Sequence, residues 1–299
     1  MSDLLYKYRN GNANVTIYSD GTRICETEDD EFEFDFPCNM DIKITNYCTK
    51  GCPFCHENST PKGKHAPLEN FDFINSWSPG VEAALGGGMV TSHPQLAEIL
   101  TKFSSKGIIV NTTLHQDELI ENFDMIKKYQ KNGLIRAIGV SLHKPTDGLA
   151  ECINQLDNVV VHVINGIVTP QHFDWIRKNI NDPKVLILGY KHFRRGNDFY
   201  DVANERIGEL QRLLYTALPR LLKEMNVVSF DNLALEQLNV KRLLTQEEWD
   251  LFYQGDEGSS NMYIDAVEGK FAQNSTAVTR YDLKDDVKEM FNVIRDSIQ

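Results

Sequence analysis

Three of the six cysteines lie within "NYCTKGCPFCHE", residues 46 to 57: Cys48, Cys52 and Cys55, in the spacing C-x3-C-x2-C. Three chemistries fit thiols placed this way. Structural zinc takes four nitrogen or sulfur ligands, and His56 or His65 could supply a fourth, but the sequence has no second C-x2-C or H-x3-H pair. Thiol-disulfide exchange is suggested by "CPFC" alone, where a helix amino terminus would lower the first thiol's pKa, but it leaves Cys48 without a role. A cubane iron-sulfur cluster usually takes four thiolates; three would leave one iron open to a non-protein ligand.

Placing these thiols is the task of the elements around them. From Met40 onward, short apolar runs alternate with helical patterns: "DIKIT", "VEAALGG", "GIIVNTT", "LIRAIGVSL", "NVVVHVI" and "KVLILGY". Between them lie segments such as "PQLAEILTKFSSKG" and "HQDELIENFDMIKKYQKNG", each ending on glycine after lysine or asparagine, as helix ends do. Six strand-helix units in succession predict parallel strands joined by right-handed crossovers. Periodicity alone leaves open whether that sheet is doubly wound or barrel-like. The cysteines directly follow the first of these strands, where the loops of a parallel α/β fold form its functional face.

Upstream, "NVTIYSDGTRICETE" alternates around Asp20-Gly21 and predicts a hairpin, with "EFEFDF" expected as a further strand. Downstream, "ANERIGELQRLLYTALPRLLKEM" predicts a long helix containing Pro219, followed by a short strand "NVVSF", a strand "MYIDAV" and a terminal helix near "DDVKEMFNVIRDSI". The division expected is a β appendage over 1–39, a core over 40–230 and an extension over 231–299 closing its mouth.

The 299 residues allow a sizeable core, and a composition of 41% hydrophobic and 25% charged residues is ordinary for a soluble protein. No apolar run is long enough to span a membrane and no signal peptide is evident, so a cytoplasmic location is the expectation. A net charge of -12 disfavours general attraction to nucleic acid, local clusters such as "KHFRRG" notwithstanding. Cys25, Cys38 and Cys152 are scattered singly and do not read as a disulfide framework.

C-x3-C-x2-C with an aromatic, Phe54, before the last cysteine resembles the signature of the radical S-adenosylmethionine superfamily. The resemblance spans roughly residues 40 to 195. It implies a partial (β/α)6 TIM-like barrel and a [4Fe-4S] cluster on Cys48, Cys52 and Cys55, with S-adenosylmethionine chelated at the open iron. Reductive cleavage would give a 5'-deoxyadenosyl radical that abstracts hydrogen from a substrate. "LGGGMVTSHPQL" resembles the family's Gly-Gly-Glu-Pro segment, implying cofactor contact by Gly86, Gly87 and Gly88, with Met89 and Val90 where the family has glutamate and proline. "VNTTLH" implies a contact at Asn111 or Thr112, "GVSLH" at Ser141 near the ribose or carboxylate, and "VLILGYK" at Leu188 or Gly189 beside the adenine.

No cysteine follows Cys152, so a single cluster is expected. Cys152 itself, in the apolar helix "LAECINQL", reads as a buried structural thiol. The substrate would be a peptide or a small metabolite, and the reductant a flavodoxin or ferredoxin. In the carboxy-terminal third, Asp231, Asn232, Tyr263 and Asp265 are candidates for a substrate pocket, with Lys191 and Arg194 supplying positive charge; Tyr263, Asp231 and Lys191 are the catalytic candidates. The alternative is a zinc-binding or glutaredoxin-like thiol-redox protein without radical chemistry.

Overall fold

A computed structural model of the chain describes residues 3–298. Strands β1 (Leu4–Asn10), β2 (Ala13–Tyr18) and β3 (Arg23–Glu26) form a separate three-stranded antiparallel sheet. The run "EFEFDF" is not a strand. Its backbone is taken up by side-chain amides: Asn10 Oδ1 accepts from the Asp35 and Phe36 N–H groups, and Asn12 Oδ1 from that of Glu33. These bonds replace a ladder, and Phe34 turns into the core while Phe32 stays exposed.

Then strand and helix alternate: β4 (Asn39–Thr45), β5 (Glu82–Gly87), α1 (Leu96–Ser105), β6 (Ile109–His115), α2 (Gln116–Glu121), α3 (Phe123–Lys131), β7 (Ala137–Ser141), α4 (Asp147–Ile153), β8 (Val159–Ile164), α5 (Pro170–Asn179), β9 (Lys184–Leu188), α6 (Arg195–Glu224) and β10 (Val227–Phe230). The six expected strands are all present, and "NVVSF" adds a seventh parallel strand beside β9. The long helix runs unbroken through Pro219.

The tail supplies α7 (Asn232–Gln237), α8 (Gln246–Phe252), β11 (Asn261–Asp265), β12 (Lys270–Ala272), β13 (Tyr281–Asp282) and α9 (Val287–Ile298). Strand β11 pairs in parallel with β4, and β12 and β13 follow antiparallel, giving one ten-stranded sheet in the order β10-β9-β8-β7-β6-β5-β4-β11-β12-β13. The fold is thus α/β with a mostly parallel central sheet. It is not a closed barrel: β10 and β13 form the two ends, and the last seventy residues widen the sheet itself.

Side chains alternate between its two faces. Met40, Ile42, Ile44, Leu85, Ile138, Val140, Val161, Val163, Val185 and Ile187 are buried in the core. Their neighbours Asp41, Asn111, Gly139, Ser141, His162 and Leu188 line a cavity of about 970 Å³ to which every strand from β4 to β10 contributes.

Candidate functional site

The cysteine loop leaves the end of β4 and is clamped from three sides. The first is the β5 loop, where the Gly88 N–H donates to the Thr45 carbonyl (2.7 Å) and that of Met89 to Tyr47 (2.8 Å). Only glycine fits there: a Cβ on Gly88 would lie 2.1 Å from the Tyr47 oxygen, and one on Gly87, whose φ is +112°, would lie 2.4 Å from the Thr45 oxygen. The second is α2, whose Glu121 carboxylate accepts from Lys50 Nζ at 2.8 Å through both oxygens. The third is the start of α6, where Arg194 and Arg195 donate to the carbonyls of Glu57 and Ser59 (2.8 and 2.7 Å).

Held this way, Cys48, Cys52 and Cys55 face the cavity with His143, Gly86, Gly87, Gly88, Ser141 and Leu188. Burial and the neighbouring Cys55 and Cys48 sulfurs push the Cys52 thiol up to about 11, and burial pushes up Cys48 too. Thiols that resist ionisation in this way, Cys48 and Cys52, suit a cation that neutralises them on binding. The other described cysteines, Cys25, Cys38 and Cys152, do not line this cavity.

The expected residues divide by position. Gly86 faces open space, the one glycine of the three with room for a ligand beside its Cα, whereas Gly87 and Gly88 serve the approach of the cysteine loop. Ser141 ends β7 and Leu188 ends β9, both at the cavity wall. Phe54 stacks on His143 at 5.4 Å and meets Phe199 edge-on at 5.9 Å. Asn111 lies low in β6, bonded to Glu82 (3.3 Å) and Arg136 (3.4 Å), at the floor. Thr112 is buried against the Leu85 carbonyl.

Tyr263 and Asp231 are committed to protein partners. The Tyr263 hydroxyl donates to Glu57 Oε1 at 3.0 Å, and burial and that carboxylate raise its pKa. Asp231 caps α7, its Oδ1 accepting from the N–H groups of Ala234 and Gly189 at 2.8 Å. Lys191 Nζ donates to Ser275 (3.1 Å) and shares the cavity with Asp41, Asp231 and Glu257, whose mutual repulsion its charge offsets. Asp265 is buried with Lys43 and Arg280, and Asn232 opens instead on an adjoining groove lined by Trp249 and Tyr253.

Sequence reasoning missed the histidines. His115 and His143 stack at 4.5 Å, and one ring nitrogen of each lies within 4.8 Å of the other and of Cys52 Sγ. Burial holds His143 uncharged, its pKa down at about 4. Both close the strings "VNTTLH" and "GVSLH", so a polar ring at or just beyond the end of a parallel strand was the available signal.

Fold and site together define an α/β protein with three thiols at the mouth of a cavity walled by parallel strands. Among solved structures it is similar to SuiB of Streptococcus suis bound to precursor peptide SuiA, with a TM-score of 0.61 at 14% identity, covering 97% of this chain and 88% of that one. It is similar also to SuiB bound to S-adenosylmethionine, with a TM-score of 0.58 at 14% identity, covering 99% and 89%. At that identity the likeness is one of fold. No protein-family model matches the chain, nor does any curated protein.

Proposed function

We propose that the protein is a radical S-adenosylmethionine enzyme acting on a peptide, with a [4Fe-4S] cluster on Cys48, Cys52 and Cys55. The observation that carries this is the three-thiol loop at the mouth of a large cavity, in a fold shared with a protein that binds both S-adenosylmethionine and a precursor peptide. The donor set fits the group: three cysteines line one cavity, and no other cysteine among the described residues lines it, which leaves one coordination position free. When bound, cluster and S-adenosylmethionine would supply a 5'-deoxyadenosyl radical.

The chain's own residues bind and orient. In this reading Gly86 leaves room for the methionyl group, Ser141 offers a hydroxyl to the cofactor, Leu188 lines the adenine end, and Phe54 covers the cysteine loop. Tyr263 and Asp231 position the wall, through Glu57 and Gly189, while Lys191 meets the substrate. Residues 40–230 form the catalytic core, 231–299 complete the mouth, and 1–39 form the appendage. A flavodoxin or ferredoxin would supply the electron.

Anaerobic reconstitution with iron and sulfide, followed by S-adenosylmethionine and dithionite, tests this. The wild type should hold about four irons and yield 5'-deoxyadenosine, and the C48A/C52A/C55A variant should do neither. The competing reading is a zinc ion held by Cys52, His115 and His143, whose donor atoms lie together. Stoichiometric zinc in the wild type, resistant to exchange for iron and sulfide, would establish it and sink ours.

A further inference from the structure

His143 is fixed more firmly than packing requires. Gln116 Oε1 accepts from its backbone N–H and from that of Lys144, both at 2.7 Å. Its carbonyl lies 3.0 Å from His172 Nε2, which can only donate there. The ring is held between Phe54 (5.4 Å, 15° between planes) and His115 (4.5 Å, 24°), which sets its plane. What remains is the ring edge, and Nε2 lies 4.0 Å from Cys52 Sγ.

We propose that His143 donates a hydrogen bond from Nε2 to the Cys52 sulfur and so raises the reduction potential of the cluster held there. This rests on the functional reading above. An N–H directed at a thiolate sulfur draws off part of its charge. The reduced cluster carries one more electron than the oxidised one, so the same bond stabilises it more, and the potential rises. No step is added to the reaction: His143 is a positioning residue that acts through Cys52. The stack confers direction, because a ring free to rotate would offer its N–H to water instead.

Two substitutions separate this role from packing. His143→Phe keeps a flat ring between Phe54 and His115 but removes the donor, whereas His143→Gln keeps an amide N–H near the place of Nε2 and loses the stack. Each reconstituted protein is titrated anaerobically with dithionite, the reduced cluster being followed by electron paramagnetic resonance and iron and sulfide being counted. The expected result is unchanged iron in all three, the lowest potential for H143F, and for H143Q a potential between that of H143F and the wild type, because its amide keeps the donor but lacks the stack that directs it.

An H143F cluster that titrates with the wild type overturns the proposal. So does a loss of iron confined to the variants, which would make His143 a ligand. A wild type that takes up no cluster overturns the functional reading and this inference together, and is recognised by its missing iron-sulfide absorbance before any potential is measured.

Discussion

Lys43 is a buried charge held between two buried carboxylates. Its side chain is 2% exposed, and Nζ lies 3.0 Å from Asp265 Oδ2 and 3.2 Å from Glu57 Oε2, both themselves buried. Arg280 and Arg194 reach the same carboxylates only at 3.4 and 3.8 Å. Breaking a buried pair by removing one partner costs about 3–5 kcal/mol, so K43M should lower the unfolding free energy by that order in urea melts; a loss within experimental error would show that the arginines suffice.

A second residue-scale case is His162. It lies across Gly139, where a Cβ would fall 2.3 Å from the ring, and its side chain has no hydrogen-bond partner among the described residues. Burial lowers its pKa to about 4, against 6.5 ordinarily. Between those values the unfolded chain binds a proton that the folded one does not, so stability rises with pH across the window. The His162 contribution is therefore whole above pH 6.5 and is lost as pH falls toward 4. Urea midpoints of the apoprotein from pH 7 to 4 should fall more steeply for the wild type than for H162Q; parallel slopes would refute the assignment. Neither Lys43 nor His162 was legible as special in sequence, since a buried charge and a surface one have the same letter and only the fold brings Glu57 and Asp265 to one amine.

At the scale of elements, the glycine run at the end of β5 divides its labour. Gly86→Ala adds a methyl to open space, whereas Gly88→Ala drives one into the Tyr47 carbonyl and forces the cysteine loop away. Thermal melts should place G86A within about 0.5 kcal/mol of wild type and G88A about 1–3 kcal/mol below it. G88A should also take up iron less completely, because its clash lies three residues or fewer from Cys48. Equal melts would mean that the loop shifts freely and its clamps matter little. The element order was plain in sequence because most of the parallel strands are apolar, β-branched runs and the helices α1 and α3 each end just before a glycine, Gly107 and Gly133. What misled was "EFEFDF": its alternation is that of a strand, and only the side chains of Asn10 and Asn12, from another segment, take up the backbone groups a ladder would have used.

At the scale of the whole molecule, closure was beyond sequence periodicity because it depends on what pairs with the free edge of β4. That partner, β11, comes more than two hundred residues later and was read only as a strand. Cavity-facing positions were partly legible, since "DIKIT" and "VVVHVI" interrupt branched residues with polar ones that a fully buried sheet would not carry.

The same scale shows what the first sheet does. The turn between β2 and β3 enters the cavity from the side opposite the cysteines: Asp20, Gly21 and Thr22 line it, Asn158 Nδ2 donates to the Ser19 carbonyl at 2.9 Å, and Lys184 Nζ to that of Asp20 at 3.2 Å. Arg23 then reaches Asn39 (3.1 Å) and Glu82 (3.4 Å), joining the floor network of Glu82, Asn111 and Arg136. A reaction that must exclude water needs its floor shut as well as its mouth. Each of the two side-chain bonds to these carbonyls contributes ~1 kcal/mol, so N158A/K184A should raise amide hydrogen exchange about tenfold or more across residues 18–23, with β4 to β7 unchanged. If protection of the turn persists, the plug is held instead by Val15 and Ile17, which are fully buried in the core beneath it, and the floor is a rigid part of the core rather than a closure hung on two side chains.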